Sequence, residues 1–220
     1  MSDDAENPSE TGREKVLGYL GHVDSIAMCS PVALDLVGVN SGWPSHKPTY
    51  RKIRSWGGVS TILCSDGLTD PFPNRPANVG HGIELFIETP GELEDPISSW
   101  QFWLLRSACD LVARDGQFRN DLDYFGIKTV SFTGWPGPAE WADADHVVGA
   151  IMGLPTPHFL QHCSLKTGVI RLVPLTIVRP QELLVARKTI GDLWKLFGSL
   201  YSRGSACHFS SLDAPVRLME

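Results

Sequence analysis

The sequence holds no signature of a common reaction. Gly-x-Ser-x-Gly elbows, Walker loops and Gly-x-Gly-x-x-Gly loops are all missing. The usual sequence routes to an activated serine, a nucleotide or a dinucleotide are therefore missing too. No Cys-x-x-Cys occurs, and the five cysteines (Cys29, Cys64, Cys109, Cys163, Cys207) are odd in number and scattered. That argues against a disulfide framework and structural zinc, and it fits a reducing cytoplasm. The cysteines read instead as small buried filler. No run of about 18 apolar residues exists, so no membrane-spanning helix is expected. The polar, acidic N-terminal residues contain no hydrophobic signal core. Positive charge is in deficit: 19 Lys and Arg against 25 Asp and Glu leave a net charge of −6. Such a balance argues against a broad nucleic-acid surface and favours a basic partner.

What remains is ordinary globular material. The chain has 220 residues, 42% of them apolar and 20% charged. A chain of this size can bury roughly 70% of its extended surface and needs no staples. The most informative stretch runs from Val59 to Glu88. Val59 to Cys64 is an apolar, β-branched run suited to a buried strand. Asp66-Gly67 and Asp70-Pro71 are turn formers. Ile83 to Glu88 alternates, with Ile83, Leu85 and Ile87 on one face and Glu84, Phe86 and Glu88 on the other.

Elsewhere, residues 1–11 read as a disordered tail. Gly12 to Met28, with Val16, Leu17, Leu20, Val23 and Ala27, reads as an amphipathic helix. Pro31 to Val39 reads as a strand, Asn40 to Pro48 as a loop, and Tyr50 to Trp56 as an outer strand. Ile97 to Gly116 is the strongest helix: Ser98 or Ser99 can cap it, and Trp100, Trp103, Leu104, Ala108, Leu111 and Val112 share one stripe. Strands follow at Ile127 to Thr133 and Val147 to Leu154, then a loop from Pro155 to Lys166. Gly168 to Val178 reads as a strand whose Pro174 implies an edge or a bulge. Pro180 can start a helix that runs to Arg203. Residues 205–220 read as an irregular tail, and 12–204 as one domain.

Few side chains invite a chemical reading. Glu84 and Glu88 lie ~13 Å apart on a strand, too far for a glycosidase pair, which needs about 5–9.5 Å. His158, His162 and Cys163 resemble a helical metal pair with a thiol. They lack the intervening Glu of a metalloprotease, and prolines at 155 and 157 oppose a helix. Trp135, Glu140, Trp141, Asp143 and Asp145 share one loop. Aromatics flanked by acids suit a partner carrying Lys or Arg, unless the rings fold back over the sheet.

Ser65-Asp-Gly-Leu-Thr-Asp-Pro-Phe72 followed by Gly82-Ile-Glu-Leu-Phe-Ile87 resembles the paired signature of the Suppressor of fused domain family, through Gly67, Leu68, Asp70, Gly82, Glu84 and Leu85. Trp100 to Val112 is similar to the family's Trp-led helix, and Val173 to Ala186, with Pro180, Glu182 and Leu183, to its late strand and helix start. Together these cover roughly residues 55–190. The chain departs in having Ser99-Trp100 where the family has a Trp-Pro pair, and about 30 residues after the match where the eukaryotic regulator has a second domain. The resemblance implies an α+β fold: a mixed, largely antiparallel central sheet flanked by amphipathic helices. It also implies a non-enzymatic, protein-binding role without cofactor, metal or catalytic residues. Small stand-alone members look bacterial, and many are regarded as immunity proteins that neutralise a toxin made by the same cell. The expected partner is then a protein, such as a basic nuclease toxin, met in the cytoplasm. Asp66, Asp70, Trp135, Glu140, Trp141, Asp143 and Asp145 are the candidate contacts, with no direct nucleic-acid or membrane contact. Alternatives are a transcription-factor regulator that adds a peptide strand to its sheet, and a hydrolase or metal enzyme built on His158 and His162.

Overall fold

A computed structural model describes residues 14–29, 42–44, 48–75, 78–156, 159–165, 168–201 and 207–213. Eight strands make one mixed sheet: β1 (Gly21–Cys29), β2 (Thr49–Ser55), β3 (Ser60–Ser65), β4 (Ile83–Pro90), β5 (Lys128–Thr133), β6 (Val147–Met152), β7 (His162–Leu165) and β8 (Gly168–Val178). Their order across the sheet is β1-β2-β3-β4-β8-β6-β5, with β7 also on β8. Among these described strands only β4 and β8 pair in parallel; the other ladders are antiparallel. The α+β expectation holds.

Alternation along β4 builds both faces of the sheet. Ile83, Leu85 and Ile87 join Tyr50, Leu63, Val173 and Leu175 under helix α1 (Trp100–Arg114). Phe86 points the other way, among Ile53, Ile62, Cys64 and Leu172, with Val16, Leu17 and Leu20 closing over them. Farther along that face, Ile151 and Val178 are covered by Leu183 of α3 (Pro180–Ala186) and by Leu196 and Leu200 of α4 (Ile190–Tyr201). Ser99 caps α1, its Oγ accepting from the Phe102 N–H at 3.2 Å. The expected stripe is seated: Leu104, Ala108 and Val112 are buried, and Trp100, Trp103 and Leu111 pack at its margin.

Several expectations are corrected. Among the described residues of the expected Gly12–Met28 helix, only 14–18 are helical; from Gly21 the chain is strand β1. Gly18 and Gly21 weaken a helix there, and the ladder with β2 supplies the backbone partners instead. The loop expected at Pro155 to Lys166 contains β7, and α2 (Phe118–Phe125) lies in a segment with no sequence-level assignment. The single helix expected after Pro180 is two helices, because Thr189 starts a new one by accepting the Asp192 N–H at 3.0 Å. Residues 1–11 and the strand expected at Pro31 to Val39 lie outside the described residues.

Pro174 sits inside the sheet rather than at an edge or bulge. Successive residues of β8 face opposite neighbours: Arg171 N donates to Gly82 O on the β4 side, and Leu172 N to Gln161 O on the β7 side. Pro174 therefore faces the β7 side, at the step where β7 has ended and β6 takes over. Its carbonyl accepts from Gly153 N at 3.0 Å. At that step no ladder N–H is required of it.

β4 and β8 pair over 83–86 and 171–174 and then part. Residues 207–213 are irregular in backbone yet fill the gap. Phe209 bridges Glu88 in parallel, and Ser210 N donates to Glu88 O at 2.8 Å. Ser210 Oγ donates to Leu175 O at 3.0 Å and accepts from Ile177 N at 3.1 Å.

Candidate functional site

The signature turn after β3 closes around Glu84. That buried carboxylate accepts bonds from Ser65 Oγ, Gly67 N (3.1 Å), Thr69 N (2.9 Å) and Thr69 Oγ1 (2.6 Å). Burial raises its pKa, and the bonds from Ser65 and Thr69 offset part of that rise. Asp66 is also buried and meets Arg51 Nε at 2.7 Å, while Asp70 is half-buried. Gly82 needs its glycine: its φ is +68°, and an added Cβ would strike the Arg119 guanidinium. Ser65 to Glu84 is therefore a structural knot that joins β3 to β4.

Glu88, the other carboxylate of that strand, sits in a separate cluster. Ser60 Oγ donates to its Oε1, and His208 Nε2 lies 2.7 Å from its Oε2. All three side chains are buried. With the carboxylate in the middle, the histidine has no hydrogen bond to the serine and cannot take its proton, so this is no nucleophile–base–acid chain. The cluster had no sequence signal, because His208 is 120 residues from Glu88. Arg171 was also missed. It is buried and caps α2 through Leu122 O (2.8 Å), Gly126 O (2.8 Å) and Asp123 Oδ1 (3.2 Å).

The loop between β5 and β6 separates into a buried base and an exposed rim. Trp135 and Trp141 are both buried. Trp135 packs on Trp100 and Trp103, with ring centroids 5.6 and 5.7 Å away, and its Nε1 donates to Pro138 O at 2.9 Å. Trp141 lies under the Arg179 guanidinium, 4.4 Å from its ring, and its Nε1 donates to Leu212 O at 3.2 Å. Glu140, Asp143 and Asp145 are exposed. Asp143 Oδ1 accepts from the N–H groups of Asp145 (3.0 Å) and Val147 (2.9 Å), which shapes the turn. His146 follows with φ +56°. The rings thus anchor the loop, and the carboxylates of Glu140 and Asp145 form its outward face.

Among the described residues the other candidates do not assemble. His162 is exposed on β7 while Cys163 turns into the core, where burial raises its thiol pKa. His158 lies outside the described residues. Among the described residues no three His, Cys, Asp or Glu side chains gather to hold a metal ion, and no helix is long and apolar enough to cross a membrane. A cavity of about 290 Å³ is lined by Lys52 and Arg54 but also by Asp24 and Glu92, so its charges balance.

No protein-family model matches the sequence, and no curated protein does. Solved structures do match. A Suppressor of fused homolog from Neisseria gonorrhoeae aligns over 96% of this chain and 99% of its own, with a TM-score of 0.57 and 14% identity. The chain has the Suppressor of fused fold. Drosophila Suppressor of Fused aligns over 80% of this chain, with a TM-score of 0.52 and 13% identity. The match spans 44% of the Drosophila protein's length. A chain in the crystal structure of a Sufu–Fu complex aligns over 94% of this chain and 92% of its own, again with a TM-score of 0.52 and 13% identity. At such identity the shared property is the Suppressor of fused fold itself. The knot around Glu84 and the strand running into α3, which carried the sequence resemblance, are parts of that fold's framework here.

Proposed function

We propose that this chain is a non-catalytic protein-binding module that engages a basic partner through the acidic rim of the β5–β6 loop. In its biological setting it is an immunity-type protein that neutralises a cognate toxin by direct binding in the cytoplasm. The observation that carries the reading is the outward placement of Glu140, Asp143 and Asp145 on a loop anchored by buried Trp135 and Trp141. A firmly seated loop loses little entropy on binding. Its charge, with the −6 of the whole chain, attracts a cationic surface at long range. A solved complex of the same fold, Sufu with Fu, supports a role in protein binding. Asp66 and Asp70, also candidate contacts, would act indirectly, by holding the turn after β3.

Co-purification with the product of the adjacent gene, and rescue of cells expressing that product, are the expected results. Finding neither would remove the toxin reading. Strand addition beside Pro174 is not favoured, because β8 has neighbours on both sides. A reaction centred on His162 is also less favoured, since its side chain is exposed on a short strand while the adjacent Cys163 turns into the core.

A further inference from the structure

We infer that residues 207–213 act as a latch that sets the conformation of the acidic loop, so that their seating between β4 and β8 controls partner binding. This rests on the reading of that loop as the partner surface. The connection is continuous from the sheet to the loop. His208 reaches the buried Glu88 carboxylate, and its own carbonyl accepts from Thr176 Oγ1 at 3.0 Å. Ser210 then satisfies backbone groups on both separating strands: Glu88 O on one, Leu175 O and Ile177 N on the other. Leu212 packs against the main core and accepts the Trp141 indole N–H. Trp141 is the last residue of a single helical turn, Ala139–Trp141, which also contains Glu140. Asp143, which shapes the rest of the loop, is two residues farther on. The loop is thus held from below by an indole whose one polar atom belongs to the latch.

Two features make this arrangement a control point rather than plain packing. The latch is distant in sequence, 71 residues from Trp141, so its seating is a separate event from the folding of the β5–β6 hairpin. Its anchors are polar groups in a dry site: buried His208 and Ser210 compensate Glu88 and three backbone groups of the sheet. If the latch leaves, those groups are stranded unless water follows it in. Intermediate seating is therefore disfavoured, and the latch behaves as an in-or-out element. An element with two positions can couple two sites.

The test is amide hydrogen exchange on the full chain, because coupling must be reciprocal. Trp141→Phe keeps a large ring but removes the N–H given to Leu212. It should speed exchange at Ser210 N by about 2- to 10-fold, the span expected for one net hydrogen bond. Ser210→Ala should in turn speed exchange at His146 and Val147. The α1 amides serve as the reference for global opening. Unchanged exchange at Ser210 in Trp141→Phe, with intact α1, overturns the inference. Should Ser210→Ala unfold the chain, Trp141→Phe alone decides. If the exchange is coupled but no cationic protein binds, the partner reading fails and takes the control of binding with it, while the coupling of latch to loop stands. If a partner binds through Glu140 and Asp145 with equal affinity in wild type and Trp141→Phe, the latch fails and the partner reading stands.

Discussion

Glu84 shows how one buried charge organises a turn. Four hydrogen bonds converge on its carboxylate, two from backbone N–H groups and two from hydroxyls. Glu84→Ala strands all four donors and should cost about 3 kcal/mol, read by chemical denaturation. Glu84→Gln keeps the shape but loses an acceptor, so a smaller loss is expected. The pH dependence has a definite sign. Because burial raises the folded-state pKa, the folded protein holds the Glu84 proton more tightly than the unfolded chain does. That contribution is complete below the ordinary carboxylate pKa and is lost as pH rises through Glu84's elevated one. The stability of wild type relative to Glu84→Gln should therefore fall across that window; a flat difference would show that burial is not the governing cause. The role of Glu84 was only half visible in the sequence. Alternation put it on the face opposite Ile83 and Leu85, but nothing local showed that Ser65, Gly67 and Thr69 would close over it.

Caps and arginine forks decide how the helices sit. Ser99→Ala removes the side-chain acceptor for Phe102 N and should cost about 1 kcal/mol, seen as a lower denaturation midpoint with an unchanged slope. Helix α2 depends on a residue outside it. The planar guanidinium of Arg171 satisfies the last carbonyls of α2 and reaches Asp123 as well. Arg171→Met should destabilise by about 3 kcal/mol and raise amide exchange in α2 before that in α1. Arg171→Lys should recover only part of this, because an ammonium cannot reproduce the fork. The same contrast explains which helices were legible. α1 carries its own cap and apolar stripe. α2 is short, with Phe118 and Leu122 as its buried residues, and owes its end to a strand 45 residues away.

At the scale of the molecule, the acidic loop is expected to act through long-range charge. Glu140→Lys combined with Asp145→Lys should slow association with the adjacent-gene product by about tenfold or more at low salt, an effect that shrinks as salt rises. Both residues are exposed, so thermal stability should hardly move. An equal loss of affinity at all salt concentrations would point to a different contact surface. The pairing β4–β8 is the most non-local of the strand ladders among the described residues, joining residues 83–86 to 171–174. It leaves the gap that residues 207–213 fill, so the latch exists only because the sheet does.

From its sequence alone, the chain determined the strands read at 59–64, 83–88 and 168–178 and the capped helix after Ser99. Each of these is written in short-range periodicity and local hydrogen-bonding chemistry. Tertiary structure decided what lies next to what. It turned residues 21–29 from a helical pattern into a strand, admitted Pro174 to the middle of a sheet and drew His208 to Glu88. It also turned Trp135 and Trp141 inward while leaving Glu140 and Asp145 in water. Those outcomes depend on partners dozens of residues away, and no local pattern carries the free energy of a contact whose other half lies elsewhere in the chain.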